Sequence, residues 1–158
     1  MKVLNKIVIG MASLVLLTAC GPSKCSFEKY KEQANAASEK DPGSKKVVVK
    51  GTVKAAVAGI SMEVKMDHTF EKDGDEWKLT KGEEGAGSAA ALLAASARAW
   101  DHAVSENEDA TYYAGNGFKV EIKSDEQNAT YVYNSYGYMT SSKASGSSEG
   151  SAKLTWSK

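Results

Sequence analysis

The stretch LLTACGPSKC, residues 16–25, holds both cysteines of the chain, Cys20 and Cys25. Two thiols at that spacing could form a redox pair or part of a metal site, or do separate jobs. His68 and His102 are the only histidines, and no Cys/His cluster with ligand spacing accompanies them. No metal and no cofactor is expected. Serines are plentiful but lie mainly in Ser/Gly stretches, outside any Gly-x-Ser-x-Gly elbow. Gly85-Ala86-Gly87 lacks the rest of a phosphate or dinucleotide loop. Asp73, Asp75 and Glu76 lack the ligand spacing of a calcium loop and read as a hairpin turn. His68 falls on the apolar side of a strand-like stretch, and His102 follows Asp101 on a helical one. With no nucleophile–base pair in view, the chain reads as a non-enzyme.

The ends of the chain separate the two cysteines. Lys2 and Lys6 are followed by an apolar run, Ile7 to Leu17, and then by Thr18, Ala19 and Cys20. A basic stretch, a short apolar stretch and small residues make an export signal. The run is too short for a span, which needs ~20 apolar residues. Leu17-Thr18-Ala19-Cys20 resembles the lipobox of bacterial lipoproteins. That resemblance implies cleavage after Ala19 and a diacylglyceryl group on the Cys20 thiol. Each buried CH₂ contributes about 0.8 kcal/mol, so two or more acyl chains hold a protein on a membrane. Residues 1–19 are then the signal peptide, 20–25 a lipidated tether and 26–158 one domain. Cys25 is left as a lone thiol. Gly21 is not the aspartate that marks inner-membrane retention in enteric-type bacteria. The expected location is therefore the cell membrane, or the outer membrane in a Gram-negative source.

Charge adds an exclusion. The chain carries 20 basic and 20 acidic residues. No basic face emerges, so nucleic acid is not an expected partner.

The elements follow from periodicity. Ser26 to Lys40 reads as a helix capped by Ser26, with Phe27, Tyr30, Ala34 and Ala37 on one face. Residues 45–80 alternate with period two. Ile60, Met62, Val64, Met66, His68 and Phe70 share the apolar face. Ala58-Gly59 and Asp73-Gly74 mark the turns. Ser88 to Val104 reads as one alanine-rich helix with Ala89, Leu93, Ser96, Ala97, Trp100 and Val104 in its stripe. Further strands follow, among them FKVEIK and ATYVYN. The Ser/Gly-rich ASGSSEGS reads as a loop before the last strand, AKLTWS. The expected fold is α+β, an antiparallel curved meander of about eight strands with two helices covering its apolar face.

Met62, Met66, Phe70, Trp77, Trp100 and Met139 give that inner face large, adaptable side chains. If two helices underfill the sheet, an apolar cavity remains. If they fill it, the same residues are core. The cluster Tyr131, Tyr133, Tyr136 and Tyr138 can rim a pocket or form cross-strand pairs. The element order, with stretches such as VKGTVKAAVAGISMEVKM, resembles the half-barrel of periplasmic lipoprotein carriers and lipid-binding envelope lipoproteins. That resemblance implies a lipid or acyl chain in the concave face. The leading expectation is non-enzymatic binding of an apolar ligand. The alternative is a structural or interaction subunit meeting an envelope protein partner.

A Cys20→Ala chain is expected to leave the membrane fraction for the soluble fraction on cell fractionation. Continued membrane partitioning would overturn the anchor.

Overall fold

Strict alternation in the middle of the chain produces the longest elements of the computed structural model, which describes residues 21–40, 42–57 and 59–158. Cys20 and the expected signal lie outside the described residues. Strand β1 (Ser23–Cys25) leads into helix α1 (Phe27–Ser38), then β2 (Lys46–Val57), β3 (Ile60–Asp73) and β4 (Glu76–Lys81). Helix α2 (Ala86–Ser96) and a 3₁₀ turn (Ala99–Ala103) precede β5 (Ala110–Gly115), β6 (Gly117–Lys123), β7 (Gln127–Tyr133), β8 (Met139–Gly146) and β9 (Ser148–Ser157). All strands join one open antiparallel sheet in the order β1-β5-β6-β7-β8-β9-β2-β3-β4. The α+β class holds, but the sheet is not one meander: β2–β4 and β5–β9 each run as neighbours in chain order, and the two runs join through β9 on β2, with β1 on β5.

The strand number differs from the expected eight. Nine strands form, because Ser23–Cys25, read as tether, pairs with Tyr112–Ala114 of β5. Three residues carry too little periodicity to announce a strand; the open edge of β5 supplies the ordering. ASGSSEGS is not a loop either. Apart from Ser147 it lies in β8 and β9, with Ser148 to Ser151 paired to β2. Ser and Gly are poor strand formers, and the ladder to β2 overrides that preference. The Asp73-Gly74 turn forms, with Gly74 at positive φ. Of the Ala58-Gly59 turn, Ala58 lies outside the described residues.

One face of the sheet is apolar and covered. Helix α1 begins at the Ser26 cap, whose Oγ accepts from the Lys29 N–H at 3.3 Å. It buries Tyr30, Ala34 and Ala37, with Phe27 half-buried, as its spacing indicates. Tyr30 packs on Tyr112 at 5.0 Å and edge-on to Phe118 at 5.7 Å. Pairs of this kind add about 0.5–1.5 kcal/mol each beyond area burial. The Tyr30 hydroxyl donates to the Ala99 carbonyl at 2.7 Å, so burial leaves no unmet donor.

The second helix differs from expectation in length and in face. The helical stretch ends at Ser96. Ala97 and Arg98 are extended, with ψ of 139° and 154°. The buried residues are Ala91, Ala95, Ala99 and Ala103, while Leu93 is 75% and Val104 80% exposed. In a run of alanines the larger residues attract the reading. Close approach to the sheet instead selects the face with only methyls. Beneath, β2 is equally tight: a Cβ on Gly51 would collide with the Ser151 carbonyl of β9.

Replacing Ala95 by Leu is expected to destabilise the fold by about 1–3 kcal/mol, the usual cost of overpacking. Leu93→Ala is expected to stay within about 0.5 kcal/mol, as exposed sites do. Urea unfolding midpoints check both.

Candidate functional site

The face of α2 next to its buried methyls carries Ala90, Leu93 and Ala94 at helical spacing, and these line a half-open cleft together with Ala97 just past the helix end. Its other wall is the inner sheet face, with Val53, Met66, Tyr131, Met139 and Ala152. The cleft holds about 460 Å³, inside the ~300–1,000 Å³ typical of small-molecule sites. Ser142, Lys143, Ser148, Glu149 and Ser151 form a polar margin along β8 and β9. The walls are apolar and the margin polar, which is the form an amphiphile fits.

Of the six residues singled out from sequence, Met66 and Met139 line this cleft. The other four lie elsewhere. Phe70 is buried in the core. Trp77 meets Trp156 edge-on at 5.8 Å. Trp100 lies against Gly137, where a Cβ would come within 2.7 Å of its ring. Met62 shares the parity of Met66 but is 53% exposed, out on the hairpin beyond the cleft. Ile60, still further out, is 66% exposed. The alternation of β3 is therefore as read, and the helix covers only its second half. Tyr131, from the tyrosine cluster able to rim a pocket, lines the cleft as well, whereas the alanine wall has no counterpart among the residues the sequence singles out. Alanines carry no hydrophobic contrast, so nothing in the sequence marked them as cleft lining.

Arg98 holds the cleft's end in place. Its guanidinium donates to the Ala95 and Ala97 carbonyls at 2.6 and 2.9 Å, filling the acceptors left at the helix terminus. It lies 4.1 Å over the Tyr138 ring and 5.5 Å from that of Trp156. Trp156 donates from Nε1 to the Met139 carbonyl at 2.7 Å. Tyr138 is thus engaged in a stack, whereas Tyr136 is exposed.

Other chemistry-bearing groups are accounted for by structure. His68 Nε2 lies 3.1 Å from the Glu83 carbonyl. The Cys25 thiol, half-buried, donates to the Tyr112 carbonyl at 3.7 Å, and burial pushes its pKa up. His102 shares a 2.8 Å hydrogen bond with the Tyr133 hydroxyl and packs on Tyr131 at 5.1 Å. Burial holds His102 below the usual histidine value against the opposing pull of Asp101, and pushes Tyr133 well above the usual tyrosine value. Among the described residues no group of three or more His, Cys, Asp or Glu is placed to hold a metal ion. No described helix is long and apolar enough to cross a membrane.

No family model, curated protein or solved structure matches the chain.

The depressed His102 pKa has a signed consequence. The unfolded chain takes up the His102 proton before the folded one does. The neutral form carries no penalty above about pH 6.5. Stability is therefore lost as pH falls from there through the lower folded value. Thermal melts at pH 7.5 and 5.5 are expected to show a larger drop for the native chain than for His102→Gln. Equal drops would contradict it.

Proposed function

We propose that the protein is a lipid-anchored envelope protein whose cleft binds the acyl chain of an amphiphile without chemical turnover. The supporting observation is the cleft between α2 and the sheet, with its alanine and methionine walls and a polar margin on one side only. An acyl chain lies along Ala90, Ala94, Met66 and Met139, and its head group stays at Ser148, Glu149 and Ser151. Met66 and Met139 suit such a ligand, because the unbranched thioether adapts to a chain that has no fixed shape. Each CH₂ moved from water to these walls contributes about 0.8 kcal/mol. Ile60 and Met62 extend the apolar face beyond the helix and give the chain a path inwards. Anchoring rests on the lipobox-like Leu17-Thr18-Ala19-Cys20. Exposed Tyr136 favours the second reading, in which a protein partner meets that loop.

Native mass spectrometry of protein extracted from membranes is expected to show a co-purified acyl-bearing ligand. Ala94→Trp, which fills the cleft from a position already half-exposed, is expected to reduce that species at least about tenfold while the protein stays folded by circular dichroism. An apolar-ligand-free native protein, together with failure to take up a fluorescent fatty acid, would overturn the reading. A specific cellular cross-link from Tyr136 to another envelope protein would then favour the interaction role.

A further inference from the structure

The opposite face of the sheet has a charge arrangement that the fold does not need. Three of its lysines are neutralised by a neighbour: Lys46 by Glu71 at 3.1 Å, Lys54 by Glu63 at 3.6 Å, and Lys119 by Glu121 at 2.9 Å. Three lysines at its centre are not. Lys50 of β2 stands directly opposite Lys153 of β9, and Ser141 of β8 stands opposite Lys153 on the other side. Lys143 follows two residues further along β8. Like charges directly opposite on a sheet destabilise it, so this pair costs stability in the isolated protein.

Lys50, Lys143 and Lys153 line one surface depression of about 410 Å³, with Thr130, Ser141 and Ser151 between them. No described side chain makes an ion pair with these three ammonium groups, and no described hydrogen bond occupies the three hydroxyls. The acidic groups nearby are placed elsewhere. Glu121, opposite Thr130, is taken by Lys119 and by the Tyr113 hydroxyl at 3.0 Å. Asp67, opposite Lys50 on β3, comes within ion-pair distance of no described lysine. The depression is rich in donors and cationic, and it is open to solvent.

We infer that Lys50, Lys143 and Lys153, with the hydroxyls of Thr130, Ser141 and Ser151, bind a phosphate group on the outer face of the sheet. Three point charges suit a compact, multiply charged anion approached from several sides, and hydroxyls complete its hydrogen bonds. A bound phosphate removes the Lys50–Lys153 repulsion, so the site gains from occupancy on both counts. The group belongs either to free phosphate or to an anionic lipid head group. The site shares Lys143 and Ser151 with the polar margin of the cleft, whereas Lys50, Lys153, Thr130 and Ser141 lie outside that cavity.

The test uses the full chain in a neutral detergent, isotopically labelled at lysine and titrated with inorganic phosphate at constant ionic strength. A parallel arm adds phosphatidylglycerol to the micelles, with phosphatidylcholine as control. The expected result is saturable shifts at Lys50, Lys143 and Lys153 and not at Lys46, Lys54 or Lys119. Saturation by phosphate alone assigns a free anion. Saturation that requires phosphatidylglycerol assigns a head group. Lys153→Ser is expected to weaken binding roughly tenfold, in line with loss of one charge-assisted contact. It is also expected to raise the melting temperature of the unliganded protein, which shows that the variant folds. Uniform shifts at all lysines, no saturation in either arm, or a Lys153→Ser chain that binds as well as the native one would overturn the site. Failure of acyl-chain binding in Ala94→Trp would leave the shifts at Lys50 and Lys153, which lie outside the cleft, unchanged, so the two readings fail separately.

Discussion

Everything in this fold follows from having little helix to cover much sheet. Nine strands present one continuous apolar face, and the described chain offers α1, α2 and a single 3₁₀ turn to shield it. The two ends of the face solve this differently. Over β5 and β6 the cover is thick, because α1 brings Phe27 and Tyr30 onto Tyr112 and Phe118. Over β2 and β3 the cover is thin, because α2 touches the sheet through Ala91 and Ala95. A helix held that close must be smooth, and a smooth short helix leaves space beside it. The cleft is the remainder of this arrangement.

The join between the thick and thin halves is the helix break at Ala97 and Arg98. A continuous helix from Ala86 to Ala103 would carry its second half away from β6 and α1. The break lets α2 follow β3 while the 3₁₀ turn reaches Tyr30, whose hydroxyl meets the Ala99 carbonyl. Breaking a helix leaves carbonyls without partners, and a buried one is costly. Arg98 answers that with its own guanidinium, and Asp101 accepts from the Arg98 N–H at 2.7 Å to start the next turn. Burial lowers the Arg98 pKa, while Tyr138 and Asp101 oppose that shift. Stacking on Tyr138 suits a weakly hydrated planar cation, and lysine would not replace it.

These physical differences explain what could be read from the sequence. Alternation in β3 placed six side chains on one face, and they are there, since period two leaves no choice of face. In the alanine-rich stretch every face looks alike, so Leu93 and Val104 drew the stripe to the wrong side. The break carried no Gly or Pro and is imposed by the Arg98–Tyr138 bridge, which joins residues far apart in sequence. Strand β1 and the serine-rich halves of β8 and β9 have weak intrinsic preference and take their form from their partners. The same limit applied to the site. Parity put Met66 and Met139 on the inner face, but parity cannot say where a helix stops, and Met62 lies past that point.

The order of the strands relates the cleft to the proposed anchor. Ser23 of β1 pairs with Ala114, beside the β5–β6 turn, and Gly115 approaches the Gly21 carbonyl at 3.6 Å from its would-be Cβ. Because strands run antiparallel, the 134–138 loop and the start of β2 lie at that same end of the sheet. The β8–β9 turn, with Ser148 and Glu149 at the cleft margin, lies at the other. With acylation at Cys20, only Gly21 and Pro22 separate the anchor from the sheet edge. A tether that short would hold the body against the bilayer by its β5–β6 end and would turn the polar margin of the cleft away from it. The head group proposed for the cleft would then face the aqueous side.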